Sequence, residues 1–307
     1  MASKKVRAYR KPRSRQDFIF DTVVFIIVSL IFIMVAYPLY FIVISSVSSP
    51  SAVAGGEVSW YPIGFTLEGY AAVFKENEII SGFINALYYT VVGTLINLVV
   101  TLPAAYALSR NDLRGKKYII FFFMLTMFIS GGLIPTYLVV QKVHMIDTIW
   151  ALVIPGGVSV YNMIVAITFF RSSLPGELLE AARLDGCGNT RFFLKIALPL
   201  SSAIIAILVL YYGVGHWNAY FSAFLYITTP EKFPLQVVLR TILVQNSMQQ
   251  SMSAVSAETL AEVARLKQVA ELMKYSLIIV SSIPVLLLYP LVQKHFVKGV
   301  MIGSVKG

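Results

Sequence analysis

Residues 18–45 read FIFDTVVFIIVSLIFIMVAYPLYFIVIS, an apolar run interrupted by one charge, Asp21. A helix needs about 20 mostly apolar residues to cross the hydrocarbon core of a bilayer. This run exceeds that length. It is also far longer than the apolar region of a cleaved secretion signal, about 7–15 residues. Segment 1–17 ahead of it is a tail rich in Lys and Arg. The pair reads as a retained anchor helix with a basic flank.

Working outward, five more segments meet the same length test: Ile84–Leu108, Tyr118–Val140, Ile149–Phe170, Leu200–Tyr226 and Tyr275–Val292. Pro38, Pro103, Pro135, Pro155 and Pro284 fall inside these runs. Membrane bundles tolerate proline because neighbouring helices satisfy the freed carbonyls. The expected fold is therefore all-α, a polytopic bundle of six transmembrane helices over residues 18–296. The tails are 1–17 and 297–307, and there is no second domain. Composition agrees. Of 307 residues, 57% are hydrophobic and 13% charged, against about 25% charged in soluble domains. Mean hydropathy is +0.76.

The net charge of +10 has its cations beside the apolar runs rather than along one polar face, which argues for a lipid surface and against nucleic acid. Cytoplasmic loops carry an excess of Lys and Arg. Of the 25 such residues, eighteen fall in the N-terminal tail, the second-to-third loop, the fourth-to-fifth loop and the C-terminal tail. Seven fall in the other loops. This split predicts that both termini are cytoplasmic, as an even number of crossings requires.

Catalytic chemistry has little to stand on. Cys187 is the single cysteine, and His144, His216 and His295 show no ligand spacing, so no metal site is expected. Proton-coupled carriers usually place carboxylates inside spans, whereas the six segments hold only Asp21, near one end. No Gly-rich run ending in Lys-Ser/Thr is present to cradle ATP.

The loop 171–199 is the most informative polar segment. From Leu174 it reads LPGELLEAARLDG to Gly186, then CGNTRFFLKIALP to Pro199. Pro175 suits a helix's first turn, and Glu177 complements its N-terminal dipole. Gly186 can take the left-handed conformation that ends a helix, and Asn189 can cap a second one. Ala181 and Ala182 leave room for close approach by another protein. Glu180, Arg183 and Asp185 offer it charges. The pattern fits two roles, a connector lying on lipid headgroups or a docking surface.

The segment resembles the EAA loop of bacterial ABC importer permeases, Glu-Ala-Ala, three residues, Gly, nine residues, Ile-x-Leu-Pro. Glu180, Ala181, Ala182, Gly186, Ile196, Leu198 and Pro199 fill every position. The whole chain resembles carbohydrate-importer permeases of the maltose-permease type, in the branch for oligosaccharides and complex polysaccharides. Residues Gly131–Tyr137, Gly215–Asn218 and the tail Phe296–Gly307 resemble that branch too.

The resemblance implies a non-catalytic transport subunit in the cytoplasmic membrane. Glu180, Ala181, Ala182, Arg183, Asp185 and Gly186 would form a coupling helix seated on a cytoplasmic ABC ATPase dimer. ATP and Mg would be held by those partner chains and no cofactor by this one. A second homologous permease subunit, an extracytoplasmic solute-binding protein and a sugar substrate complete the implied partners. The tail ending in Lys306 and Gly307 resembles tails that reach between two ATPases. The alternatives are an ABC permease for a non-sugar solute such as a peptide, or a secondary transporter.

Polar groups in spans are the candidates for a substrate path: Asn85, Tyr161, Asn162, Trp217, Asn218 and Tyr220, since aromatic rings stack on sugars and amides both donate and accept. Asn97 and His216 are expected instead to hydrogen-bond between helices. The external loop, 229–274, carries a helical pattern from Ala257 to Met273. That stretch suits either an interfacial helix over the bundle or a contact with the binding protein.

Overall fold

A computed structural model describes the backbone of residues 15–249 and 257–303, and its regular elements there are helices. The tail up to Ser14, the loop residues 250–256 and the last four residues, Lys306 and Gly307 among them, lie outside the described residues.

Three helices cross-membrane length and apolarity unbroken: Arg15–Ser46, Asn77–Ser109 and the stretch Lys267–Pro290 inside the longer helix Ala257–Gly303. Two further pairs qualify when each bent pair counts as one crossing, giving up to five among the described residues. The expected third span, Tyr118–Val140, is such a pair. Lys116–Phe128 and Leu133–Lys142 meet at 113°. The reason lies in Gly131 and Gly132. Gly132 sits at φ 86°, ψ 172°, a conformation a helix cannot accommodate. The expected fifth span, Leu200–Tyr226, enters through an 80° bend at Ser201. Pro199 has no N–H to give the preceding turn, and residues Phe193–Ala197 widen into a π-helical turn before it. The span then breaks again between Trp217 and Tyr220.

The expected fourth span, Ile149–Phe170, is not one helix. It forms Ile149–Val153 and Val160–Ser173, parted at Pro155-Gly156-Gly157. Carbonyls freed by such a break must find donors. Asn97 supplies both, its Nδ2 donating to Gly156 O at 3.0 Å and Gly157 O at 2.8 Å. Asn97 Oδ1 in turn pairs with His216 Nε2 at 2.6 Å. The Ser159 N–H donates to the Tyr212 hydroxyl, which pairs with Thr101 at 2.8 Å. So Asn97 and His216 do bond between helices, as the sequence suggested, and Asn97 also holds a broken span together.

The chain divides into two compact units. One comprises the chain up to Tyr70 with Ala261–Ile279. Ile44, Ala52 and Val58 form its small core, with Phe41, Val53 and Ile63 packed around them. Ser49 caps the short helix Pro50–Ala54, accepting from the Ala52 N–H. Ser46 Oγ pairs with Tyr70 Oη at 2.9 Å.

The other unit, Ala71–Leu260 with residues from Val280 onward, is built around Asn77–Ser109. Its core joins Leu102, Ala105 and Tyr106 to Met163, Ala166 and Phe170, and to Ile204, Leu208 and Tyr212. Small residues let these helices approach, as is usual where lipid gives no hydrophobic drive between them. A Cβ added at Gly93 would stand 2.6 Å from the His216 ring.

Candidate functional site

The loop between Val160–Ser173 and the bend at Ser201 forms the helix, glycine and helix expected. The first helix is Gly176–Leu184, entered directly from Pro175 and with Glu177 in its first turn. It closes in a Schellman motif. The Cys187 N–H donates to Ala182 O at 2.8 Å and the Gly186 N–H to Arg183 O at 3.0 Å, with Gly186 at φ 73°.

The two alanines separate. Ala182 is buried in the core beside Phe192, while Ala181 faces outward with Glu180 and Asp185. Adjacent helical residues point about 100° apart, so one anchors the helix and the other lies on its free face. The expectation that both alanines open a docking surface is corrected in this respect. Leu184, passed over in the sequence, is 90% exposed. It stands at the tip of the helix, flanked by the exposed Glu180 and Asp185.

Asn189 does not cap the second helix. Gly188 holds the cap position, and Asn189 Oδ1 instead accepts from Arg110 Nη1 at 2.9 Å. A charged donor outcompetes the backbone amides for that oxygen. Arg110 belongs to a network from the second-to-third loop. It pairs with Asp112, and Asp112 Oδ2 also accepts from Arg183 Nη2 at 2.6 Å. Arg110 Nη1 further donates to the Tyr106 hydroxyl. The hydrogen bonds from Arg110, then Arg183, hold the Asp112 carboxyl well below the usual carboxylate range. Arg110 is pushed above its ordinary value, chiefly by its bond to Asp112. Arg183, expected to offer its charge outward, is therefore engaged within the chain. Arg110 and Asp112 pair locally, but their bonds to Asn189 and Arg183 span 79 and 71 residues, and no local pattern marks those.

The substrate-path candidates do not gather into one site. Trp217 is 3% exposed. Its Nε1 donates to Ser281 O at 3.0 Å and its ring meets Phe83 edge-on. Asn85 Nδ2 donates to Glu231 O at 2.7 Å and to Phe233 O at 3.2 Å. These two residues are spent on packing and on loop anchoring. Asn162 is buried near the start of Val160–Ser173, while Tyr161 beside it is exposed. Asn218 is exposed and donates to Val214 O of its own helix. Tyr220 stacks on Phe224, and the Arg240 guanidinium lies 4.9 Å from its ring centre.

A second polar cluster fixes the turn 228–233 at the start of the loop expected to be external. Asp147, at φ 60°, accepts from the N–H groups of Thr228 and Thr229 at 3.0 Å, the Thr229 hydroxyl at 2.7 Å and Lys232 Nζ. Lys232 first, then Thr229, holds the Asp147 carboxyl well below its usual range. Asn85 and Tyr89, the latter donating to Lys232 O, secure the same turn from the helix Asn77–Ser109.

Apolar helices of crossing length, with a broken span held by side-chain hydrogen bonds, define a polytopic integral membrane protein. No family model matches the chain. It is 35% identical over 290 residues to the polygalacturonan/rhamnogalacturonan transport system permease protein of Bacillus subtilis strain 168, covering 94% of this chain and 99% of that one. It is 37% identical over 270 residues to the protein LplC of the same organism, covering 88% and 89%. Among solved structures, it matches a chain in a crystal structure of a bacterial ABC transporter involved in the import of the acidic polysaccharide alginate. That match has a TM-score of 0.83 and 29% identity, over 93% of this chain and 99% of the other. The chain belongs to the family of carbohydrate ABC-transporter permease subunits, integral proteins of the cytoplasmic membrane.

Proposed function

We propose that this chain couples ATP hydrolysis on a partner ATPase to movement of an oligosaccharide across the membrane, through the helix Gly176–Leu184. The carrying observation is the free face of that helix. Glu180, Ala181 and Leu184 point outward, Ala182 fixes the helix to the body, Gly186 ends it, and Asp112 pins it through Arg183. In this reading the spans Ile149–Val153 and Val160–Ser173 make one interrupted crossing, so that six crossings place both termini in the cytoplasm. ATP and Mg stay on the ATPase dimer. A second homologous permease covers exposed apolar helix faces, and a solute-binding protein delivers sugar from outside. ATP-driven closure then rocks packed helices between inward- and outward-open states.

The oligosaccharide reading follows the names of the relatives and the family to which they belong. A non-sugar solute has no comparable support.

The test is co-purification and coupled ATP hydrolysis. The chain should bring down an ATPase and a second permease in stoichiometric amounts. Glu180→Ala and Leu184→Ala should each lower substrate-stimulated ATP hydrolysis at least tenfold while leaving membrane insertion intact. Uptake that proceeds with no ATPase partner would sink the reading. Mass spectrometry of solute released from the purified complex should find an oligosaccharide, and a peptide there would overturn the substrate class.

A further inference from the structure

Beside the Arg110–Asp112 network, the chain passes from charged to apolar within a few residues. Lys116 and Lys117 open the helix Lys116–Phe128, and the rest of that helix reads YIIFFFMLTMF. Gly115, at φ 78°, starts it with no side-chain cap, so the first N–H groups point out of the helix end unsatisfied by a cap. A cavity of about 400 Å³ opens at this junction.

Its lining has two halves. Lys116, Lys117 and Arg171, with the Asn111 amide, form one, and Ile120, Phe121 and Met124 form the other. No carboxylate lines it, and none forms a salt bridge with these three cations among the described residues. Two of the cations are held in place by neutral oxygens. Lys116 Nζ donates to Arg110 O at 2.6 Å and Asn111 Oδ1 at 3.1 Å, and Arg171 Nη2 to Leu108 O at 3.3 Å. Positioning without neutralisation leaves a concentrated positive field at the mouth of the cavity. The apolar half continues into an exposed hydrocarbon face, with Phe121 59% and Phe122 64% exposed.

We propose that this cavity binds an anionic phospholipid, its phosphate among Lys116, Lys117 and Arg171 and its acyl chains along Ile120, Phe121 and Met124. A free phosphate would use the cations and leave the apolar half wet. A neutral lipid would use the apolar half and leave three cations uncompensated. An anionic lipid uses both, and basic pockets between membrane helices at the headgroup level are where such lipids are recognised. The inference rests on the chain's membrane location and this lining, and stands apart from the coupling proposal.

The experiment is native mass spectrometry of the detergent-purified complex titrated with phosphatidylglycerol and, separately, phosphatidylcholine. Phosphatidylglycerol should be retained preferentially. Lys117 is exposed and, among the described residues, its side chain makes no hydrogen bond or salt bridge, so Lys117→Gln should leave elution and subunit composition unchanged while lowering that retention about fivefold, the share expected for one cation near a lipid surface. Lys117→Arg should restore it. Equal retention of the two lipids overturns the proposal, as does retention unaffected by Lys117→Gln. Displacement of phosphatidylglycerol by equimolar inorganic phosphate would reassign the cavity to a free anion.

Discussion

At Gly186 and Asp112 single residues decide whether the candidate coupling helix holds its pose. Gly186 is left-handed, a conformation that costs other residues about 1–2 kcal/mol. A Cβ there meets nothing, so backbone strain is the whole cost. Gly186→Ala should therefore lower the stability of the loop by about 1 kcal/mol, read as faster amide exchange over 176–192. Gly188→Ala, at φ −70° and in open space, should cost little in the same measurement. Asp112→Asn removes the shared acceptor of Arg110 and Arg183. It should speed exchange in the same helix and lower coupled ATP hydrolysis. The pH dependence follows from the sign of the shift. Asp112 is held below its usual 3.8, so its contribution is complete above that value and fades only as pH falls through the lower folded value. Coupling measured between about pH 5 and 8 should show no titration from Asp112, in wild type or in Glu180→Ala.

At the scale of elements, apolar length showed where the chain meets lipid, and it failed to show where helices break. Apolar runs are alike whether straight or bent, and the bends depend on backbone geometry at Gly132, Gly156 and Ser201. The loop 171–199 was legible because a Schellman closure needs glycine at one position, and Gly186 stands there. Its support by Asp112 through Arg183 was not, because sequence spacing carries no trace of a bond between loops 71 residues apart. Trp217 packs against Phe83 with its ring buried: an aromatic that suits a sugar ring suits a helix interface equally well. Where helices touch, the local rule returns. Gly93→Ala would push a methyl to 2.6 Å from His216 and force Asn77–Ser109 off Ser202–Trp217, whereas Gly215→Ala meets nothing within 4 Å. The first should lower the midpoint of thermal unfolding of the detergent-solubilised complex and the second should leave it in place. The Asp147 clamp acts at the same scale. Asp147→Asn should free the turn 228–233 and make it a site of limited proteolysis in membrane vesicles, while wild-type chain resists there.

For the molecule as a whole, many large apolar side chains are left bare among the described residues. The most hydropathic stretch of Arg15–Ser46 has no buried residue, so lipid and partner chains, rather than this chain's own core, must cover that helix. Which end faces the cytoplasm rests on the eighteen-to-seven division of cations. That division reads the same way only if Ile149–Val153 and Val160–Ser173 cross together. If they do not cross, the loop 171–199 and the loop 110–117 could not both lie on one side with the termini, yet Arg183 and Asp112 bond across them. Crossing number and coupling thus stand or fall on the same side assignment. The sequence supplies a probe of it, because its single cysteine, Cys187, lies directly after Gly186 in that loop and is only partly buried. A membrane-impermeant maleimide should label Cys187 in inside-out vesicles and leave it untouched in intact cells. Adding the ATPase to the vesicles should protect it, while Leu184→Ala should restore labelling by loosening the docked partner. Labelling of intact cells would reverse the orientation and remove the loop from reach of any cytoplasmic ATPase.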